Sequence, residues 1–129
     1  MLAATMAAKR KTLFERLVDF SLSLPEAWED HPWGETVAKV RKKVFVFFGV
    51  EQPKTGVFLC VKLPESATHI LPEDWAEPAG YGLGKSDWVY IKFDKRPSVT
   101  QARLEEWITE SYRHVAPKTL AKMLERGSD

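Results

Sequence analysis

The densest concentration of chemically capable residues in this chain is Ala79-Gly80-Tyr81-Gly82-Leu83-Gly84-Lys85-Ser86. Its Gly-Lys-Ser ending has the chemistry of a phosphate-binding loop, in which glycines let backbone amides approach phosphate and a lysine meets its charge. Such a loop works between a β-strand and a helix whose first amides converge on the anion. Here Glu73 to Pro78 is a poor strand, a strand rather than a helix follows Ser86, and Ala79 stands where the pattern has its first glycine. The stretch therefore reads as an irregular glycine loop, with Asp87 closing it as a turn cap. The three histidines, His31, His69 and His114, fall in different elements and lack the short spacings of a metal site. Cys60, the single cysteine, lies in an alternating strand and reads as a small buried hydrophobe rather than a reactive thiol. Glu29-Asp30 and Glu73-Asp74 are adjacent in sequence, whereas acid–base catalysis needs carboxylates set apart at a buried site. No catalytic set, cofactor or metal-ligand group is expected, and an enzyme of unknown class ranks behind a binding protein.

The elements that would position these residues centre on Thr36 to Leu63, where three apolar runs are separated by two polar breaks. Val37 to Val40, Val44 to Val50 and Val57 to Leu63 are dense in β-branched and aromatic residues, which pack well on a pleated surface and lose χ1 freedom in a helix. The breaks, Arg41-Lys42-Lys43 and Glu51 to Gly56, are too short for a parallel crossover, so neighbouring antiparallel strands are expected. Trp88 to Phe93 supplies a fourth strand, with Trp88, Tyr90 and Lys92 on one face and Val89, Ile91 and Phe93 on the other. Thr12-Leu13-Phe14-Glu15 has the form of a capping box ahead of a helix with Leu13, Leu17, Phe20 and Leu24 on its apolar side. Pro64-Glu65 opens a short helix through Leu71. Ser98 or Thr100 caps a long last helix carrying Leu104, Ile108, Ser111 and Val115. Pro117 interrupts that helix, and Lys118 to Leu124 add a short turn. Glu26 to Gly34 and Glu73 to Asp87 read as loops, the first pinned to the core by Trp28 and Trp33. These elements favour an α+β fold with a single antiparallel sheet and helices packed on one face.

Size and charge agree with one domain. A chain of 129 residues can bury roughly two thirds of its unfolded surface, enough for a core without disulfides. Residues 1–11 read as a flexible leader, 12–124 as the domain and 125–129 as a polar tail. The leader's apolar start breaks at Lys9-Arg10-Lys11, the reverse of a signal peptide's order, and no window is long enough to span a bilayer. The cytoplasm is the default compartment. Nineteen basic against eighteen acidic side chains leave a net charge of +1, far from the excess of a protein that lives on phosphate contacts. Any such contact must come from local clusters.

His31-Pro32-Trp33-Gly34, Val37 to Val40, Lys43-Val44-Phe45, Pro78 through Trp88 and Glu110-Ser111-Tyr112-Arg113-His114-Val115-Ala116-Pro117-Lys118 follow one another in an order that resembles the MmcQ/YjbR-like family. The resemblance spans about Phe14 to Leu124 and implies a CyaY-like arrangement of sheet and flanking helices. The family's proposed DNA binding rests on a double-winged feature, to which Arg41-Lys42-Lys43 and Glu51 to Gly56 correspond. The first of these departs from the family's frequent glycine-containing turn. No metal or catalytic residues come with the resemblance.

Two binding roles follow. An interaction or regulatory protein would present His31, Trp33, Tyr81 and Trp88 to a protein or small ligand. A weak, largely nonspecific duplex-DNA binder would use Arg41, Lys42, Lys43, Lys85 and Lys92 on phosphates. The interaction role is the leading expectation.

Overall fold

The computed structural model describes residues 12–32, 35–52, 56–80, 82–92 and 99–127. The expected capping box starts helix α1 (Leu13–Leu22): Thr12 Oγ1 accepts from the Glu15 amide at 3.1 Å, and the Thr12 amide donates back to Glu15 Oε1 at 2.9 Å. The helix buries Leu17 and Val18 on its sheet side, and Phe14 meets Phe48 edge-on at 5.7 Å. After Pro25 the chain turns through Glu26, held at a φ of 59°.

Four strands then form a meander, β1 (Ala27–Asp30), β2 (Thr36–Val40), β3 (Lys43–Gln52) and β4 (Gly56–Lys62). Helix α2 (Ala67–Ile70), strand β5 (Ala76–Pro78), a 3₁₀ turn (Leu83–Ser86) and strand β6 (Trp88–Lys92) follow. Helices α3 (Gln101–Val115) and α4 (Lys118–Gly127) complete the fold. The sheet is entirely antiparallel in the order β1-β2-β3-β4-β6-β5. Its class matches the sequence expectation, an α+β fold built on one antiparallel sheet.

Two stretches expected as loops contribute its edges. Ala27–Asp30 pairs with Val40 back to Val37, and Ala76–Pro78 pairs with Ile91 back to Val89. Neither Ala-Trp-Glu-Asp nor Ala-Glu-Pro has strand-like composition, and each is extended because a strongly apolar neighbour offers it a ladder. Trp28 accordingly does not pin a loop into the core. It stands on the sheet surface, 43% exposed, with Lys39 Nζ 5.1 Å from its ring centroid. Two helices also differ from expectation: α2 is confined to four residues, and α4 is a full helix running to Gly127 rather than a short turn.

The core lies between the helices and one sheet face, where Ala38, Val40, Phe48, Leu59, Val61, Val89 and Ile91 meet Leu17, Leu104, Trp107, Ile108 and Leu120. Strand β3 departs from simple alternation. Ala38 lies opposite Val46 and Lys39 opposite Val44, which leaves Phe45 as an extra residue in a bulge. That bulge turns Phe45 inward beside Val46, and both are fully buried.

Candidate functional site

Three consecutive side chains of α3 fasten the sheet to its surroundings, and they lie within the Glu110 to Lys118 stretch that carries the family resemblance. Ser111 Oγ accepts from the Lys62 amide at 2.9 Å and donates to the Phe45 carbonyl at 2.6 Å. The β3–β4 ladder pairs Val46 with Val61, so Phe45 and Lys62 are the next couple along it. The bulge parts them, and the buried hydroxyl bridges the gap. Tyr112, stacked edge-on against Phe45 at 5.2 Å, donates its hydroxyl to the Pro25 carbonyl at 2.6 Å. Burial foremost, and then the charge of Glu26, raises the Tyr112 pKa above the usual phenol value.

Glu110 is only 5% exposed. One of its oxygens accepts from the Glu65 and Ser66 amides at 2.8 and 3.1 Å, and the other accepts from the Ser66 hydroxyl at 2.6 Å. It thus caps α2 from a different helix, because Ser66, the N-cap residue, makes no side-chain cap of its own. Just outside, His114 Nε2 lies 2.6 Å from Glu65 Oε2, and Arg113 Nη2 lies 3.7 Å from the same oxygen. The His114 hydrogen bond holds the Glu65 carboxyl below its ordinary pKa. Glu65, Glu110 and His114 bring one potential ligand atom each within 4.8 Å of one another, a juxtaposition of His114 that sequence spacing does not reveal. Both oxygens of Glu110 already accept backbone or hydroxyl protons, so the cluster works as a helix cap rather than as an open ligand set.

A different arrangement occupies the face of the sheet away from the helical core. Strand register puts Trp28 and Asp30, Val37 and Lys39, Val44 and Phe47, Cys60 and Lys62, and Trp88, Tyr90 and Lys92 on that side, with Glu77 at its edge. Phe47, Cys60 and Tyr90 form a row across adjacent strands, and Phe47 meets Trp88 at 5.6 Å with an interplanar angle of 68°. The aromatic surface is partly exposed. Two charged pairs on this face are internal, Lys39 with Asp30 at 2.8 Å on the side of the β2–β3 turn and Lys92 with Glu77 at 3.5 Å toward the other end. Lys39 foremost, and then the His31 amide, lower the Asp30 pKa.

Of the residues expected to bind, Trp88 belongs to this face. His31 lies at the far end of β1, exposed and 2.8 Å from Glu29, away from Trp88. Trp33 and Tyr81 lie outside the described residues. The expected cations are divided. Arg41, in the β2–β3 turn with a φ of 58°, is held by Glu26 at 2.8 Å, which raises its pKa further. Its carbonyl accepts from Trp28 Nε1 at 2.9 Å. Lys42 and Lys43 extend from the same exposed turn, and Lys85 lies at the same end of the sheet, in the 3₁₀ turn before β6. Lys92 is at the opposite end. Gln52 and Gly56, a paired couple within the second expected wing, are also at that opposite end, and residues 53–55 of that wing lie outside the described residues. Successive connections of an antiparallel meander must alternate ends, and about seven residues of β4 separate these by roughly 23 Å.

The Gly-Lys-Ser stretch is followed by a strand, as its sequence context implies. Gly82 has a φ of 80°, which explains a glycine there, and a Cβ on Gly84 would stand 2.9 Å from that of Pro78. Asp87 closes the turn with a φ of 69°, and its carbonyl accepts from the Leu63 amide at 2.8 Å, fixing the turn against the end of β4. On the helical side, a shallow groove of about 370 Å³ is lined by Phe20, Ala102, Glu105, Glu106, Thr109 and Arg113. Its acids and Arg113 surround an open surface and converge on no buried point.

Cys60 is 2% exposed, and burial pushes its thiol up to about 12 from 9.0. At pH 8 this lowers the thiolate fraction about a thousandfold relative to an exposed cysteine. An aromatic disulfide reagent at that pH should therefore leave the native protein unmodified and label it rapidly in denaturant. Native labelling at the rate of a free thiol would show that the row beside Phe47 and Tyr90 opens readily.

The family model for YjbR matches residues 22–114. The crystal structure of Deinococcus radiodurans protein DR2400, which has the family-model domain DUF419, superposes with a TM-score of 0.69 at 23% identity. The alignment covers 90% of this chain and 92% of that one, and at this identity the likeness shows the shared fold alone. No curated protein matches the chain significantly. The family match takes in the whole meander, the glycine loop, β6 and the fastening residues of α3 through His114, and on that span the chain belongs to the YjbR family.

Proposed function

We propose that this protein is a non-enzymatic binding module that takes a macromolecular partner on the sheet face bearing Phe47, Trp88 and Tyr90. The observation that supports this reading is a row of partly exposed aromatic side chains on the side of the sheet opposite the helical core. Aromatic side chains supply much of the energy of protein interfaces because they bury large areas with few rotatable bonds. The polar clusters of α3, by contrast, are consumed in holding the fold.

Duplex DNA is a second reading, favoured by the exposed Lys42, Lys43 and Lys85 at one sheet end. The opposite placement of the two expected wings weakens it. A photoreactive phenylalanine analogue at Tyr90, compared with one at exposed Glu106 on α3, tests both readings in host extract with and without nuclease. Crosslinks at Tyr90 that survive nuclease are expected. Crosslinking only from Glu106 would overturn the proposal, and nuclease-sensitive crosslinks would transfer it to nucleic acid.

A further inference from the structure

The charge on the open face is distributed unevenly in a way that bears on what docks there. Toward the end farther from Trp88, Lys92 is paired with Glu77, and nearer the Trp88 end Lys39, two residues before the β2–β3 turn, is paired with Asp30. At the Trp88 end, Lys62 stands directly opposite Trp88 in the β4–β6 register. Lys85 lies two residues before Asp87, whose backbone is bonded to Leu63, the residue after Lys62. Lys42 lies in the β2–β3 turn at that same end. Among the described residues none of these three ammonium groups has an acidic partner. The acids nearby are largely engaged: Glu26 by Arg41, Glu65 by His114 and Arg113, and Glu110 by amides. Asp87 is the exception, with its side chain exposed.

From this juxtaposition of free lysines with the Phe47–Trp88 corner, and resting on the open-face reading above, we infer that the partner is an acidic peptide segment of another protein. An apolar side chain seats in the corner and flanking carboxylates meet Lys62, Lys85 and Lys42. Rings meeting edge to face at 68° present an uneven apolar surface, whereas successive nucleic-acid bases need flat, open ring faces on which to stack. The Trp28 ring, which could extend such a platform, has Lys39 over it. A second copy of this chain fits poorly, because a two-fold contact centred on this end would set the same lysines against each other. Complementary charge would speed encounter and set register, and the apolar anchor would carry most of the affinity.

Selection of random linear peptides displayed on phage against the full-length protein tests this. The enriched sequences should combine several Asp or Glu with a Leu, Ile, Phe or Trp, and their affinity should fall with added salt. For a synthesised member, Lys62→Glu with Lys85→Glu should weaken binding about tenfold, and Trp88→Ala about thirtyfold or more. Circular dichroism and thermal melting establish that each variant is folded, Lys85 being exposed and Lys62 half-buried. Failure to enrich peptides, enrichment of neutral or basic peptides, or indifference to the lysine reversals would overturn the acidic occupant. Retained sensitivity to Trp88→Ala in the last case would leave the open face standing as the interface. Indifference to both sets of changes would remove the face itself, and displacement of the peptide by a single-stranded oligonucleotide at equal concentration would overturn the inference in favour of nucleic acid.

Discussion

Ser111→Ala lowers the unfolding free energy by about 2–4 kcal/mol, because one deleted hydroxyl strands two buried backbone groups. The Lys62 amide loses its acceptor and the Phe45 carbonyl its donor, each at a cost of roughly 1–3 kcal/mol where water cannot enter. Phe45 and Lys62 cannot pair directly in compensation, since the bulge has moved β3 out of register there. Thr109→Ala serves as the control: its hydroxyl bonds only to the Glu105 carbonyl within its own helix, at 2.8 Å, and its loss costs less than about 0.5 kcal/mol. Urea titration of both variants reads the difference as a fall in midpoint at constant slope. Equal stability of the two would mean that the bulge closes without the hydroxyl.

Glu110→Gln has the second large effect, about 3 kcal/mol, although it preserves size and shape. The carboxylate accepts from three donors, the amides of Glu65 and Ser66 and the Ser66 hydroxyl, and hydrogen bonds to an ionised acceptor contribute about 1.5–3 kcal/mol each. Recovery of the buried charge's desolvation cost offsets part of the loss. An amide in its place turns an NH₂ group toward one of those donors. Equilibrium unfolding measures the total, and hydrogen exchange locates it: the Glu65 and Ser66 amides should lose protection in the variant while those of β4 keep theirs. Unchanged protection at Glu65 and Ser66 would show that Glu110 does not cap α2. Against a total stability of some 5–15 kcal/mol for a domain of this kind, either substitution is a substantial fraction.

Three consecutive residues of the Glu110 to Lys118 stretch hold the fold together. Glu110, Ser111 and Tyr112 point to three different places, the start of α2, the β3 bulge and the α1–β1 connection, and each fills a backbone valence that local structure leaves open.

The amino-acid sequence by itself determined the elements whose signals are local. Thr12 and Glu15 define the start of α1, Thr100 that of α3, and the β-branched and aromatic runs define β2, β3, β4 and β6, because caps and side-chain periodicity act within a few residues of chain. The alternation of Trp88, Tyr90 and Lys92 against Val89 and Ile91 was equally legible. Only the tertiary structure decided which of those faces the helices would cover, since that depends on packing between distant segments. It likewise made strands of Ala27–Asp30 and Ala76–Pro78, which have little β-propensity and are extended by their partners. It buried Glu110, an acid whose sequence neighbours say nothing of the donors brought to it from 44 and 45 residues away. It also divided the lysines between free and paired and between two ends of the sheet, because strand order and the alternation of a meander's connections, rather than the number of charges, determine which cations can meet one partner.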